Sequence, residues 1–320
     1  MINYTFVIPH KDIPELLARC VASIPKREDV EVIVVDDGSG QSVRNSDVFK
    51  RISANGVQII LTDERLGAGN ARNVGLEAAE GEWVIFADAD DYFEPAMLDA
   101  LDQFIDSPLD VVFFKTQCIE SDNPQRYGSR QRMCEKWNGL IDDIINGDDE
   151  ATANLLVDCV VPWGKMVRRQ FLIDYAIKFE TVPFSNDVVW TALILANIDR
   201  KRLGCSDKLI YSLTERTESL SKNETAEAFL CRCGVFQRRY HILKESGYAN
   251  YEAPVNYPVN FEKAKSYGPG TLIKYFRLVK SMETDIPPEY EIEKKLHFRY
   301  PYLYFTVLLL QSFKKKRIRK

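Results

Sequence analysis

The first third of the chain alternates short apolar segments with segments of helical periodicity. The apolar segments are residues 4–8, 30–35, 57–61, 83–86 and 111–114, and the helical segments are 14–23, 43–54, 69–79 and 95–105. Because the strands are apolar throughout, both of their faces should be buried. This order predicts an α/β fold with a central, mostly parallel sheet flanked by helices.

The pattern becomes weaker beyond the fifth predicted strand. Residues 116–137 are polar and indicate loops or a hairpin, and a strand is predicted at 208–213. Helices are predicted at 151–157, 169–175, 188–196 and 223–246. Residues 253–270 contain three prolines and are predicted to form a linker or an irregular stretch. We therefore expect an α/β domain over residues 1–222 and a helical C-terminal region over 223–320.

Composition and charge exclude several classes of protein. The net charge of −5 argues against a general nucleic-acid binder. Seven scattered cysteines and only three histidines provide no zinc-binding pattern and are typical of free thiols in a reducing cytosol. The first residues lack the order of a signal peptide, which favours a cytoplasmic location.

An acidic motif follows the fourth predicted strand. Its sequence is Asp88-Ala89-Asp90-Asp91. The carboxyl ends of strands in open α/β sheets are where ligands bind. Carboxylates at i and i+2 can hold a divalent cation such as Mg²⁺ or Mn²⁺, and without a cation these acids would raise each other's pKa. A calcium loop of the EF-hand type is excluded, since Phe93 takes the place of the required glycine.

Two further motifs end the second strand and begin a helix. Asp36 and Asp37, before a glycine, can accept hydrogen bonds from a base or a ribose, or can form an Asx-type turn that caps the next helix. Residues 66–75 contain two glycines, but Arg72 takes the place of the third glycine of a dinucleotide-binding fingerprint. The segment instead predicts a helix N-terminus whose amides and Arg72 face a nucleotide, or an Arg72 that neutralises Asp36 or Asp88.

Together these motifs resemble those of glycosyltransferase family 2, the inverting enzymes with a GT-A fold. The resemblance is carried, in order, by residues 6–11 (FVIPHK), 35–39 (VDDGS), 67–75 (GAGNARNVG) and 88–91 (DADD). It implies a nucleotide-sugar-binding half over 1–115 and an acceptor half over 116–222. It also implies a metal-dependent transfer from a nucleotide-diphospho-sugar, such as a UDP-sugar, to a hydroxyl of a glycan or lipid-linked oligosaccharide.

The resemblance assigns roles to individual residues. It implies metal binding by Asp90 with Asp88, and donor contacts by Pro9, His10, Asp36, Asp37, Arg72, Asp88, Ala89, Arg216 and Ser219. Asp187 matches the family's general base, although Asn186 replaces the usual glutamate before it. The alternative for Asp187 is a cap of the following helix.

The segment 161–166 (VPWGKM) is similar to one in family members of bacterial polysaccharide assembly. Within it, Trp163 can stack on an acceptor sugar or lie in the core, and Lys165 can reach a phosphate or the acceptor. Two other functions remain open: a haloacid-dehalogenase-like phosphatase that uses Asp88 and Asp90, and a non-catalytic nucleotide-sugar-binding scaffold.

The C-terminal end combines an apolar and a basic block. Residues 300–313 are aromatic and aliphatic, and six of the seven residues from Lys314 to Lys320 are basic. Fourteen residues are too few to span a bilayer as a helix. The block predicts either a last core helix or an interfacial anchor on anionic lipid, peripheral to the inner face of the plasma membrane.

Overall fold

The computed structural model describes residues 1–215, 224–248 and 257–279. The chain divides into two compact units, Met1–Lys222 and Asn223–Lys320. Two predicted site residues, Arg216 and Ser219, and the whole C-terminal block lie outside the described residues.

Nine strands of the first unit form one sheet within the described residues. They are β1 Tyr4–His10, β2 Val30–Asp37, β3 Gln58–Thr62, β4 Trp83–Phe86, β5 Tyr92–Phe93, β6 Val111–Glu120, β7 Asn123–Tyr127, β8 Lys165–Arg168 and β9 Leu203–Glu215. The order is β3-β2-β1-β4-β8-β6-β9-β5, and β7 pairs with β6. All residues of β1 and β4 are buried, which explains why these strands are apolar throughout.

The strands that carry the predicted motifs run in one direction. β1 is parallel to β2 and β4, and β2 is parallel to β3. Their carboxyl ends therefore lie at one edge of the sheet. β8 then pairs antiparallel with β4 and β6, while β9 runs parallel to β6 and brings its C-terminal half beside β5.

Helices cover the sheet and connect its strands. In the first unit they are α1 Pro14–Ala22, α2 Gln41–Arg44, α3 Asp47–Ala54, α4 Ala68–Ala78, α5 Met97–Asp102, α6 Gln131–Ile145, α7 Asp149–Asp158, α8 Arg169–Asp174 and α9 Asp187–Asn197. The helix predicted over 43–54 is divided in two, because the Ser46 side chain accepts a hydrogen bond from the amide of Phe49 and starts a new helix there.

The polar stretch 116–137 was only partly predicted. It contains the end of β6 and the hairpin to β7, which confirms the expectation of a hairpin over that of loops. The prediction missed α6, which begins at Gln131. This helix buries Cys134, Trp137 and Ile141 on one face, a spacing of three and four residues that indicates an amphipathic helix.

The second unit is helical in its described part. Its helices are α10 Ala226–Glu245, α11 Tyr257–Ser266 and α12 Pro269–Val279. The long helix was predicted, but the expectation of an irregular stretch over 253–270 was wrong for α11. Pro258 falls in the first turn of α11, where a missing amide costs no hydrogen bond.

A small apolar core joins the three helices. It is formed by Phe229, Cys233, Phe261, Ala264, Leu272, Tyr275, Phe276 and Val279. Among the described residues, none of the helices has both the length and the apolar character needed to span a membrane.

Candidate active site

Three carboxylates meet at the carboxyl end of β4. Asp88, Asp90 and Asp91 each offer a ligand atom, and these atoms lie within 4.8 Å of one another. Oxygen donors at this spacing suit Mg²⁺ or Mn²⁺ rather than zinc. A divalent cation would also offset the repulsion among three negative charges, so the side chains present fit such an ion.

Asp91 differs from the other two acids because it is fully buried. It accepts hydrogen bonds from the Tyr211 hydroxyl at 2.7 Å and from the Thr214 amide at 2.7 Å. Burial raises the pKa of Asp91 well above its ordinary value, and the charges of Asp90 and Asp88 raise it further. Asp91 therefore fixes the loop to β9, while Asp88 and Asp90 are partly exposed and offer ligand oxygens.

Two residues that the sequence analysis missed hold the backbone of this loop. The Tyr211 hydroxyl accepts a hydrogen bond from the Asp88 amide at 2.9 Å. The Arg19 guanidinium donates to the carbonyl of Asp90 and to the Thr214 hydroxyl, with its carbon 5.5 Å from the centre of the Tyr92 ring. Nothing in the local sequence relates positions so far apart in the chain.

Asp36, at the end of β2, is surrounded by protein donors. It is fully buried and accepts hydrogen bonds from His10 Nδ1 at 2.9 Å, Arg44 Nε at 2.8 Å and the Ser39 amide at 3.2 Å. Burial alone would raise the pKa of Asp36, but these donors outweigh it and lower the pKa to about 2. The Ser39 amide lies three residues after Asp36, one more than in an Asx turn, and α2 begins at Gln41 without a side-chain capping bond, so the alternative of an Asx-type turn that caps this helix was wrong.

His10 and Pro9 lie at the end of β1 beside β2. The amide of Ile13 donates to His10 Nε2 at 3.2 Å, so the hydrogen of the ring is on Nδ1, facing Asp36. Both ring nitrogens of His10 thus have hydrogen-bond partners within the protein. Pro9 and His10 are buried.

Asp37 supports the loop that precedes α4. Its carboxylate accepts hydrogen bonds from the amides of Leu66 and Gly67, each at 3.0 Å. Gly67 has a φ of +87°, a conformation that favours glycine. Asp37 therefore sets the start of the helix that carries Arg72.

Arg72 connects the acidic loop with a distant segment of the chain. Its Nη2 donates to Asp88 at 2.5 Å, and its Nη1 donates to the Asn186 side-chain oxygen at 2.7 Å. The guanidinium carbon lies 5.3 Å from the centre of the Phe179 ring. Of the two partners considered from the sequence, Arg72 thus pairs with Asp88 and not with Asp36.

Asp187 is the first residue of α9 and is partly buried. Burial raises the pKa of its carboxyl group, and the positive charge of Arg72 opposes this. The preceding Asn186 makes no side-chain capping bond, and Ser185 has a φ of +57°. The strained backbone conformation thus lies at Ser185, two residues before Asp187.

Trp163 and Lys165 are both buried. The Trp163 ring stacks on Tyr211, with ring centres 5.3 Å apart and planes 12° apart. Lys165 Nζ donates to the Cys159 carbonyl at 3.3 Å, and burial lowers the pKa of this ammonium group. Trp163 therefore packs behind the acidic loop, and Lys165 faces the interior.

The acids and Arg72 lie at the carboxyl edge of parallel strands joined by crossover helices, which is where α/β proteins bind their ligands. Residues 5–175, more than half of the chain, match the model of glycosyl transferase family 2. The chain belongs to this family, as the sequence motifs indicated.

Individual relatives agree with this assignment. Glycosyltransferase GlyG of Streptococcus pneumoniae is 33% identical over 189 residues, which are 56% of this chain and 59% of that protein. The poly(ribitol-phosphate) beta-N-acetylglucosaminyltransferase TarS of Staphylococcus aureus is 26% identical over 223 residues, 68% of this chain and 36% of that protein. The chain thus spans less than two thirds of the length of these relatives.

A solved structure confirms the predicted fold class. The crystal structure of TarS residues 1–349 in complex with UDP-GlcNAc superimposes with a TM-score of 0.58 at 20% sequence identity. The match covers 91% of this chain and 78% of that one. At this identity the likeness extends to the fold alone.

Proposed function

We propose that this chain is an inverting glycosyltransferase that moves a sugar from a nucleotide-diphospho-sugar to a hydroxyl group. A UDP-sugar is the donor to test first, and a glycan or lipid-linked oligosaccharide is the acceptor class. The observation that carries the proposal is the contact network from Asp88 through Arg72 to the segment that bears Asp187. Family membership favours this function over a phosphatase.

Asp88 and Asp90 are the residues that would hold a divalent cation, and Asp91 keeps them in place. When bound, such an ion supplies positive charge against the negative charge that develops on a departing diphosphate. Arg72 lies beside Asp88 and adds a fixed positive charge to the same region. Arg216 and Ser219 remain further candidates for contacts to the diphosphate.

Asp187 is the candidate general base. Its carboxylate would take the proton of the acceptor hydroxyl as that oxygen attacks the anomeric carbon from the face opposite the diphosphate. A positioned base contributes a factor of about 10²–10⁴ to the rate. Burial raises the pKa of Asp187, which makes its carboxylate a better proton acceptor, and the positive charge of Arg72 opposes this rise.

A panel of nucleotide sugars, with Mn²⁺ or Mg²⁺ and a glycan acceptor, tests the proposal by nucleotide release. Asp187→Asn should lower transfer at least about 100-fold and leave UDP binding intact. Asp149→Asn is the matched control, because Asp149 is also the first residue of its helix but is exposed. Full transfer by Asp187→Asn would remove the base assignment. UDP binding without turnover of any donor would support the scaffold hypothesis instead.

We also propose the division into a donor half (1–115), an acceptor half (116–222) and a helical region (223–320), the last with an interfacial anchor from Lys314 to Lys320. The boundary at 222 coincides with that between the two compact units. Removal of the basic block should weaken sedimentation with anionic vesicles. Unchanged sedimentation would count against a peripheral location at the membrane.

A further inference from the structure

One face of α4 packs against residues 179–186, the segment that leads to Asp187. Gly69, Arg72 and Asn73 are spaced i, i+3 and i+4, which places them on the same side of the helix. A Cβ atom on Gly69 would lie 2.2 Å from the carbonyl oxygen of Glu180 and 2.9 Å from Cβ of Asn186. The backbones of α4 and the segment are therefore so close at Gly69 that no side chain fits between them.

Asn73 fixes the start of this segment, because it exchanges two hydrogen bonds with the backbone of Phe179. Its Nδ2 donates to the Phe179 carbonyl at 2.9 Å, and the Phe179 amide donates to its Oδ1 at 2.8 Å. Arg72 fixes the end of the segment through Asn186. Asn73 thus provides a purely structural attachment, whereas Arg72 also reaches the acidic loop.

The partners of Arg72 are unequal in charge. Asp88 is a carboxylate, whereas Asn186 is a neutral amide that accepts a hydrogen bond without neutralising the guanidinium. Arg72 is 5% exposed, and its Nε is buried without a hydrogen-bond partner among the described residues. Because the guanidinium is desolvated, it responds strongly to any change in the charge around Asp88. Its Nη1 donates to Asn186, the residue before Asp187, so the response reaches that residue.

We propose that Arg72 and Asn186 are positioning residues that couple occupancy of the donor site at Asp88 to the placement of Asp187. The inference rests on the proposed function, because it takes the donor to bind beside Asp88 and Asp187 to act on the acceptor. Binding of a cation and a diphosphate draws on the charge of Asp88, which changes the pull of Asp88 on Arg72. The hydrogen bond from the same guanidinium to Asn186 then changes, and the first turn of α9 becomes more stable against opening.

Hydrogen exchange read by mass spectrometry tests the coupling in the full chain. The probe is UDP with MgCl₂ or MnCl₂, and the readout is exchange in peptides that cover residues 187–191. In the wild type we expect UDP and metal to slow this exchange by about fivefold or more. Asn186→Ala should lose this response while UDP still binds. Arg72→Lys, which cannot contact both partners with a planar fork, should lose it even at UDP concentrations that saturate the variant.

Two further variants separate coupling from simple structural support. Asn73→Ala should lower the melting temperature but keep the response of residues 187–191 to UDP. Asn186→Asp keeps an acceptor oxygen for Arg72 but makes its two partners equal in charge, so it should weaken the response of residues 187–191 while the contact with Arg72 is retained. It also keeps the test valid if the alanine variant fails to fold.

The possible failures can be told apart. If UDP with metal does not bind the wild type, the proposed function itself fails. If UDP binds and the exchange of residues 187–191 does not change, or if Asn73→Ala removes the response as completely as Arg72→Lys, the coupling is refuted and the proposed function stands. Loss of the response in Arg72→Lys and Asn186→Ala, together with its retention in Asn73→Ala, supports the coupling.

Discussion

The hydroxyl group of Tyr211 is predicted to be a main support of the acidic loop. It donates to Asp91 at 2.7 Å and accepts from the Asp88 amide at 2.9 Å. Tyr211 and Asp91 have no exposed surface. Tyr211→Phe should therefore destabilise the first unit and loosen the site at the same time.

The size of the effect follows from the groups that lose a partner. The ring of Tyr211 packs on Trp163 and Phe93, with centres 5.3 Å away in each case, and phenylalanine preserves these contacts. The change leaves one buried carboxylate oxygen and one amide without their partner, at about 1–3 kcal/mol each. We expect a loss of about 3 kcal/mol. For a unit of this size that corresponds to a fall in melting temperature of roughly 6–12 °C.

Thermal unfolding followed by circular dichroism measures this loss, with Tyr4→Phe as the matched control. Tyr4 is also fully buried, and its hydroxyl donates to Asp102 at 3.0 Å. Asp102 is partly exposed and is also held by Arg27, so the control should cost only about 1 kcal/mol. If both variants lose the same stability, the hydroxyl of Tyr211 does not hold the loop, and Asp91 does not fix the loop through Tyr211.

Three further predictions concern pH, packing and metal. Because the pKa of Asp36 is lowered to about 2, its stabilising effect of about 2 kcal/mol is complete above pH 4 and disappears as the pH falls toward 2; acid titrations of the wild type and Asp36→Asn should therefore converge at low pH. Gly69→Ala should cost at least about 2 kcal/mol, since its Cβ would clash with a backbone oxygen, whereas Gly139→Ala, in open space within α6, should stabilise by about 0.5–1 kcal/mol in urea unfolding. Mg²⁺ or Mn²⁺ should raise the melting temperature of the wild type but not of Asp90→Asn; an equal rise in both would exclude Asp90 as a ligand.

The sequence predicted the parts of the site that have a local signal. The acids that follow β4 and the glycine turn after β2 are each visible within ten residues, because an apolar strand ends there and polar side chains begin. The parallel pairing of β1, β2 and β4 then places these motifs at one edge. Motif order and strand order were sufficient for this much.

The partners of those acids could not be predicted in the same way. Tyr211 and Thr214 contact Asp91 from more than 100 positions along the chain, and both are ordinary residues for a strand. Arg19 is a typical polar residue of an amphipathic helix, and its contact with the Asp90 carbonyl depends on how α1 packs. Such contacts are properties of the tertiary structure, and periodicity contains no information about them.

The motif at the start of α4 is partly predictable from local sequence and partly a property of the tertiary structure. The spacing of Gly69, Arg72 and Asn73 indicates from sequence that they share one helix face, but not what that face contacts. In the structure the face contacts the segment before Asp187, and Arg72 also pairs with Asp88. A substitution of Arg72 therefore changes the acidic loop and the segment before Asp187 together. A weaker donor affinity in such a variant cannot be assigned to a lost nucleotide contact until the effects on kcat and KM have been separated.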